Sequence, residues 1–136
     1  MREKQKIEKD GEHMSIQIAV VGLGRVGGRF LEMLLESGLP GMTICAASER
    51  AETDGRRLAE SKGIPLESVA DIVARGDQVD VIFDLSGQPH VRQELREGMQ
   101  NTGNRHTVVA PEVMAHLTWA MLTREAPPDV HGSTGY

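Results

Sequence analysis

An apolar run at residues 16–21 leads directly into glycines at positions 22, 24, 27 and 28. The first three glycines form a G-x-G-x-x-G pattern, and an amphipathic stretch at residues 30–35 follows at once. This pattern has a mechanism only where it joins a strand to a helix, and the flanking sequence predicts that order. The chain is therefore expected to form a strand, a tight glycine turn and a helix in succession.

Each glycine of the pattern has a separate predicted role in binding a dinucleotide. Gly22 allows the tight turn out of the strand, Gly24 lets the backbone approach a pyrophosphate, and Gly27 lets the helix lie close to the strand. The free N–H groups at the helix start then face the phosphates. The alternative is a glycine-rich turn that binds nothing. The predicted cofactor-binding loop consists of Gly22, Leu23, Gly24, Arg25, Val26 and Gly27.

Length and composition favour a single α/β domain. The chain has 136 residues, and this length predicts one domain. Only one Trp, one Tyr and two Phe occur, so the core must consist of aliphatic residues, which suits a parallel sheet buried on both faces. Residues 1–14 are predicted to be a charged, disordered arm and residues 125–136 a flexible tail, which leaves residues 15–124 as the folded domain.

Charge and cysteine content exclude several classes of function. The formal net charge of −5 offers no basic surface for nucleic acid. The charged N-terminus predicts no signal peptide, and no apolar stretch approaches the roughly 18 residues of a membrane span, so a cytoplasmic protein is expected. The single Cys45 lies in a predicted strand as an inert thiol, and no metal site is predicted.

Strands and helices are predicted to alternate along the chain. The predicted strands are residues 17–21, 42–47, 64–66, 79–85 and 106–110, and the predicted helices are residues 25–37, 53–62, 68–74, 89–100 and 111–122. With right-handed crossovers this order gives a Rossmann-like, doubly wound, mostly parallel sheet of five strands in an order near 3-2-1-4-5. Ligands bind such sheets where the winding direction reverses, which places the glycine turn beside the turn at residues 85–89.

Residues 15 to about 111 resemble the N-terminal nucleotide-binding domain of Gfo/Idh/MocA-type oxidoreductases, and are similar to the matching domains of dihydrodipicolinate reductase and homoserine dehydrogenase. The segments GLGRVG, MTICAASER, GIPLES and VDVIFDLSG carry the resemblance in that order. The resemblance implies a Rossmann domain that binds NAD or NADP. It also implies that Glu49 binds the adenosine ribose and that Ser86 and Gly87 lie near the nicotinamide ribose.

The two residues after the second strand bear on the choice of cofactor. The carboxylate of Glu49 would accept hydrogen bonds from both ribose hydroxyls and repel a 2′-phosphate, whereas Arg50 could accommodate the 2′-phosphate of NADP. Because Glu49 comes first, NAD is the predicted cofactor and NADP the alternative. A solvated carboxylate at a strand end is the competing interpretation of Glu49. Arg56 and Arg57 are expected to form a solvated helix face.

The resemblance implies a fold and a ligand but no reaction. In the sugar-oxidising members a Glu-Lys-Pro motif supplies a catalytic lysine, and here the equivalent stretch is Val109-Ala110-Pro111. The substrate domain of those enzymes has no counterpart in the sequence. Asp84, Ser86 and His90 are the polar candidates near the crevice, without a convincing catalytic pair among them, so the catalytic residues stay unknown.

Three functions are compatible with these patterns. The first is an NAD(P)-binding or redox-sensing module without its own catalysis, fused or bound to a signalling or catalytic partner. The second is an oxidoreductase whose active site is completed by dimerisation or by a partner subunit, and the third is a Rossmann domain for another ribonucleotide-type ligand.

The last predicted helix carries apolar residues at helical spacing. We expect most of them to pack on the sheet. An exposed remainder would be a surface for self-association, which predicts a homodimer. The apolar residues concerned are Val113, Met114, Leu117, Ala120 and Met121, with Trp119 nearby.

Overall fold

Four parallel strands form the central sheet of the computed structural model, which describes residues 15–126. The strands are β1 (Ile16–Val21), β2 (Met42–Ser48), β3 (Val81–Asp84) and β4 (Val108–Ala110), in the spatial order β2-β1-β3-β4. The helices are α1 (Arg25–Ser37), α2 (Asp54–Ser61), α3 (Val69–Ala74), α4 (Pro89–Asn101) and α5 (Glu112–Thr123), with a short 3₁₀ helix at Gly76–Gln78. The predicted α/β class with a parallel sheet is confirmed. The predicted arm and residues 127–136 of the predicted tail lie outside the described residues.

The segment predicted as the third strand makes a single bridge instead of a strand. Leu66 bridges Ala47 at the free edge of β2. The N–H of Ala47 donates to the Pro65 carbonyl at 2.9 Å, and its carbonyl accepts from the Glu67 N–H at 2.9 Å. The segment is short because α2 ends just before it and Ser68 caps α3 just after it. The predicted five-stranded order is therefore not confirmed.

Helices cover both faces of the sheet. Since successive strand residues point to opposite sides, each strand contributes apolar side chains to the core on both faces. On one face Ile18 and Val20 join a core cluster with α1, α2 and α5, in which the rings of Phe30 and Phe83 lie 4.8 Å apart between centroids. On the other face Ala19 and other small apolar residues pack against α3 and α4. Burial on both faces accounts for the aliphatic strands that the composition indicates.

The packing of α5 differs from the expectation. The helix faces the sheet with Ala115 and Trp119, together with the carboxylate residue Glu112, and these three are its buried residues. The stripe predicted to pack on the sheet lies instead on the opposite, outward side, so that expectation is wrong. The exposed members are Val113, Met114, Leu117, Ala120 and Met121.

Cys45 and Gly38 lie where the sequence predicts them, in a strand and at a helix end. Cys45 in β2 is half-buried, and burial raises the pKa of its thiol, which fits the predicted unreactive cysteine. Gly38 ends α1 in the left-handed conformation with φ of 59°, at the helix end that the sequence predicts.

Asp80 connects three strands at their amino ends, which lie opposite the glycine turn. Its carboxylate accepts the Gln17 N–H at 2.7 Å and contacts His106 Nε2 at 2.6 Å. These contacts join the start of β1, the residue before β3 and the segment before β4. The backbone N–H of Gln17, followed by the His106 side chain, lowers the pKa of the Asp80 carboxyl.

We predict that Asp80→Asn lowers the free energy of unfolding by about 1 to 2 kcal/mol at pH 7, because charge-assisted bonds are lost from a partly screened site. A carboxyl whose folded pKa is lowered stabilises the fold above its unfolded pKa, near 3.9, and this contribution disappears as the pH falls through the folded value. Urea unfolding should therefore show a gap between wild type and variant at pH 7 that closes below about pH 4.

Asp77→Asn is the matched control, because Asp77 is exposed in the 3₁₀ helix three residues earlier. A gap of equal size for both variants, or one that does not change with pH, would contradict the assignment.

Candidate functional site

A cleft opens where the chain reverses its winding direction, between the carboxyl ends of β1 and β3. From β1 the chain proceeds to β2 on one side, and it later returns to place β3 on the other side of β1. The cleft has a volume of about 320 Å³. Its walls come from the loop after β1, the end of β2, the turn after β3 and the first turns of α4. The residues that line it include Gly22, Gly24, Glu49, Arg50, Ser86, His90 and Glu94.

The glycine turn and the turn after β3 lie in direct contact at Gly22. Its φ of +92° is favourable only for glycine, and an added Cβ would lie 2.6 Å from Cα and N of Ser86. The Gly22 N–H also donates to the Ser48 carbonyl at 2.9 Å, which connects the turn to the end of β2. The two turns that the sequence predicts to be neighbours are therefore brought together.

The other two glycines of the pattern have opposite surroundings. A Cβ on Gly27 would lie 1.7 Å from the Gly22 carbonyl oxygen, so α1 begins in contact with the backbone of the loop. A Cβ on Gly24 would meet no atom within 4 Å. Gly24 is the N-cap of α1, and within the described chain no side chain caps that helix and no acidic residue lies in its first turn. Its start therefore favours an anion.

Glu49 lies at the end of β2, and its carboxylate is fixed by two backbone groups. One oxygen accepts the Leu23 N–H at 2.8 Å, and the other accepts the Ala51 N–H at 3.0 Å. A carboxylate offers about four lone-pair sites, so each oxygen retains capacity for one more donor. Glu49 is thus a positioned acceptor beside the glycine loop.

Thr53 and Arg56 support this arrangement, and the sequence analysis did not assign them that role. The Thr53 hydroxyl donates to the Leu23 carbonyl at 2.7 Å and accepts the Arg56 N–H at 3.0 Å as the N-cap of α2. The Arg56 guanidinium donates to the Glu49 carbonyl. A threonine just before a predicted helix is a recognisable N-cap signal, but its bond to a loop 30 residues earlier is a tertiary contact. Arg57 pairs with Asp54 at 2.5 Å on an exposed face, as expected.

A glycine pair sets the distance between α1 and α2. A Cβ on Gly28 would lie 3.1 Å from Cα of Gly55, and a Cβ on Gly55 would lie 2.6 Å from the Leu23 carbonyl oxygen. Gly28 is the fourth glycine of the motif, whereas Gly55 carries no signal in the sequence beyond its residue type. The pair lets the start of α2 lie against the glycine loop, which places Thr53 within reach of Leu23.

The turn after β3 is organised by a buried aspartate. Asp84, 6% exposed, accepts the Ser86 hydroxyl at 2.8 Å and the Ser86 N–H at 3.2 Å. The Ser86 oxygen in turn accepts the Gln88 N–H at 3.2 Å, and Gly87 has a φ of +67°. Asp84 thus stabilises the turn, whereas Ser86 and His90 line the cleft.

The structure places half of the ten predicted site residues in the lining of this cleft. Gly22, Gly24, Glu49, Arg50 and Ser86 line it. Leu23 contributes its N–H to Glu49, and its side chain is buried. The remaining members, Arg25, Val26, Gly27 and Gly87, belong to the two adjoining turns and the first turn of α1.

Arg50 and Glu94 both line the cleft and carry opposite charges. Arg50 is exposed, and no ion pair of its guanidinium occurs within residues 15–126. Glu94 follows His90 by four residues on α4, a spacing that places both on one helix face. That spacing is the signal by which Glu94 could have been found.

In the part of the chain that the structure describes, no group of three or more His, Cys, Asp or Glu side chains could hold a metal ion. None of the described helices has the length and apolar character needed to cross a membrane. No family model matches the chain, and no curated protein is significantly similar to it. The resemblance to the oxidoreductase domains therefore stays a prediction.

The glycine geometry predicts unequal changes in stability for two substitutions to alanine. Gly27→Ala should lower the free energy of unfolding by about 3 kcal/mol or more, because the added methyl overlaps the Gly22 carbonyl. Gly24→Ala should stay within about 1 kcal/mol of wild type, since its methyl enters open space and only the N-cap preference changes. Urea unfolding measures both values, and equal losses for the two variants would contradict the geometry.

Proposed function

We propose that this chain is a Rossmann-type dinucleotide-binding module whose ligand is NAD, with NADP as the alternative. The observation that carries the proposal is the fixed Glu49 carboxylate beside an uncapped helix start that opens onto the same cleft. An anion site and a ribose-hydroxyl acceptor at one winding reversal together favour a phosphorylated ribonucleoside. The four-stranded order corresponds to the centre of a doubly wound sheet that lacks one outer strand.

The start of α1 is the proposed pyrophosphate site. The first N–H groups of a helix lack intrahelical partners, and the helix dipole adds a partial positive charge there. Gly24 has open space where a side chain would project, so phosphate oxygens could approach the backbone closely. The Leu23 N–H is already bonded to Glu49, so phosphate contacts fall to the N–H groups that follow it.

Glu49 is the proposed ribose acceptor and the reason for preferring NAD. Its two oxygens are oriented by Leu23 and Ala51, so ribose hydroxyls would meet a carboxylate that is already in place. A 2′-phosphate at the same position would meet like charge. Arg50 lines the same cleft and is the residue by which NADP could be accommodated.

The proposed module binds its ligand without a reaction of its own. Hydride transfer needs a substrate pocket beside the nicotinamide and a proton donor. Ser86, His90 and Glu94 line the cleft, but within residues 15–126 no hydrogen bond joins any two of them, and the Ser86 hydroxyl donates to Asp84 instead. Ligand binding would then shift the chain toward the conformation that binds the ligand more tightly. A fused or bound signalling or catalytic partner would respond to that conformation. A second copy of the chain is the further partner in this proposal.

The proposal is tested by calorimetric and thermal-unfolding titration with NAD, NADH, NADP and NADPH. A ligand that binds only the folded state raises the free energy of unfolding by about 2.7 kcal/mol when its concentration is a hundred times Kd. We expect saturable binding of at least one of the four, stronger for the forms without the 2′-phosphate. Absence of binding by all four would contradict the proposal. A continuous change in the absorbance of the reduced nicotinamide with a hydroxy-acid, sugar or amino-acid substrate would favour the second hypothesis, an oxidoreductase, instead.

A charge-removing variant tests the role of Glu49. Glu49→Gln retains an amide oxygen that can accept the Leu23 N–H but loses the negative charge. We expect the ratio of NAD affinity to NADP affinity to fall on the order of tenfold, which corresponds to about 1.4 kcal/mol. Isothermal titration with both nucleotides measures this ratio.

Glu52→Gln is the matched control, because Glu52 is an exposed carboxylate three residues away that lies outside the cleft lining. An equal change in both variants would indicate a general charge effect, and an unchanged ratio in Glu49→Gln would remove Glu49 from the site.

A further inference from the structure

The outer side of α5 is apolar although it faces away from the sheet. Val113, Met114, Leu117 and Met121 are 44 to 71% exposed, while Trp119 on the opposite side is 8% exposed. A helix that is apolar on both sides is typical of helices covered on both sides. Within the described residues nothing packs over this outer side, so its apolar character calls for a partner.

The outer residues form one continuous stripe, called here the α5 stripe. Its members are Val113, Met114, Leu117, Ala120 and Met121. At 3.6 residues per turn they occupy an arc of about 120° centred on Leu117. Ala115 and Trp119, which pack on the sheet, lie on the opposite side of the helix.

We infer that the α5 stripe binds the same stripe of a second copy of this chain, with the two helices antiparallel across a twofold axis at Leu117. The sequence of the stripe is symmetric about that residue. Val113 and Met121 lie four residues to either side, and Met114 and Ala120 lie three residues to either side. An antiparallel pair would therefore set Val113 against Met121 and the larger Met114 against the smaller Ala120. This is the self-complementarity that an isologous interface requires.

Charge also favours a second copy, and the small exposed area predicts a weak dimer. No Lys, Arg, Asp or Glu occurs between Glu112 and Arg124, so self-pairing brings no like charges together. Thr118, which is partly exposed beside Leu117, would lie at a polar rim, whereas the Nε2 atom of His116 is buried in the monomer. The exposed stripe offers on the order of 400 Å² per copy, about half of what one partner buries in a standard interface, and the rim adds to this area. The inference does not rest on nucleotide binding.

The dimer is tested by light scattering after size-exclusion chromatography. At chain concentrations up to about 100 µM, a dimer with a micromolar Kd would be almost fully formed. We expect twice the chain mass of 14.8 kDa for the wild type. Leu117→Arg should yield a monomer with unchanged circular dichroism, because it places two like charges at the axis from an exposed position. Leu39→Arg is the matched control, since Leu39 is 39% exposed outside the stripe, and it should remain dimeric.

Cysteine cross-linking tests the antiparallel register and stays decisive if Leu117→Arg fails to fold. In a Cys45→Ser background with an added thiol oxidant, Leu117→Cys alone should form disulfide-linked dimers. Val113→Cys should link to Met121→Cys when the two variants are mixed, but not to itself, because two copies of residue 113 would be about 12 Å apart along the axis.

A monomeric wild type at the highest concentration overturns the inference. So does a dimer that Leu117→Arg leaves intact, or self-linking of Val113→Cys without mixed linking. Monomeric wild type that still binds NAD would leave the proposed function standing, whereas a dimer that binds none of the four nucleotides would leave the α5 interface standing.

Discussion

The contact between the backbone of Gly22 and its neighbours is the constraint on which the cleft depends. Its carbonyl lies where a side chain on Gly27 would be, and its Cα lies against the backbone of Ser86. These two approaches bring the start of α1 and the end of β3 onto the end of β1. Because any Cβ would separate the three segments, the geometry at the winding reversal requires glycine at both positions.

Beside this contact, polar groups from the end of β2 and the start of α2 form one network around Leu23. Glu49 accepts the N–H of Leu23, and Thr53 donates to the carbonyl of the same residue. Arg56 in turn donates to the Glu49 carbonyl. The N–H and the carbonyl of Leu23 are thereby both bonded to side chains from one neighbouring segment, which fixes the loop. A loop fixed in this way would lower the ordering cost of the proposed nucleotide binding.

Much of the fold follows from local signals in the sequence. Helix α1 begins and ends where the glycines predict, and α4 begins at Pro89 as expected. Local signals do not decide the third predicted strand, because the residue types at 64–66 suit a single β-bridge as well as a short strand. The orientation of α5 was also unpredictable, since its residues are apolar around the whole helix. The sequence places Glu49 near the loop, but its bond to Leu23 and the role of Thr53 depend on tertiary contacts.

The most direct test of the proposed site is to follow the backbone amide resonances of the labelled chain during titration with NAD. The account predicts that resonances from residues 22–27, 49–51 and 86–88 shift together and saturate at one Kd. Those of Gln17 and His106, near the amino ends of the strands, should stay unchanged. No shift at all, or shifts confined to another surface, would contradict it.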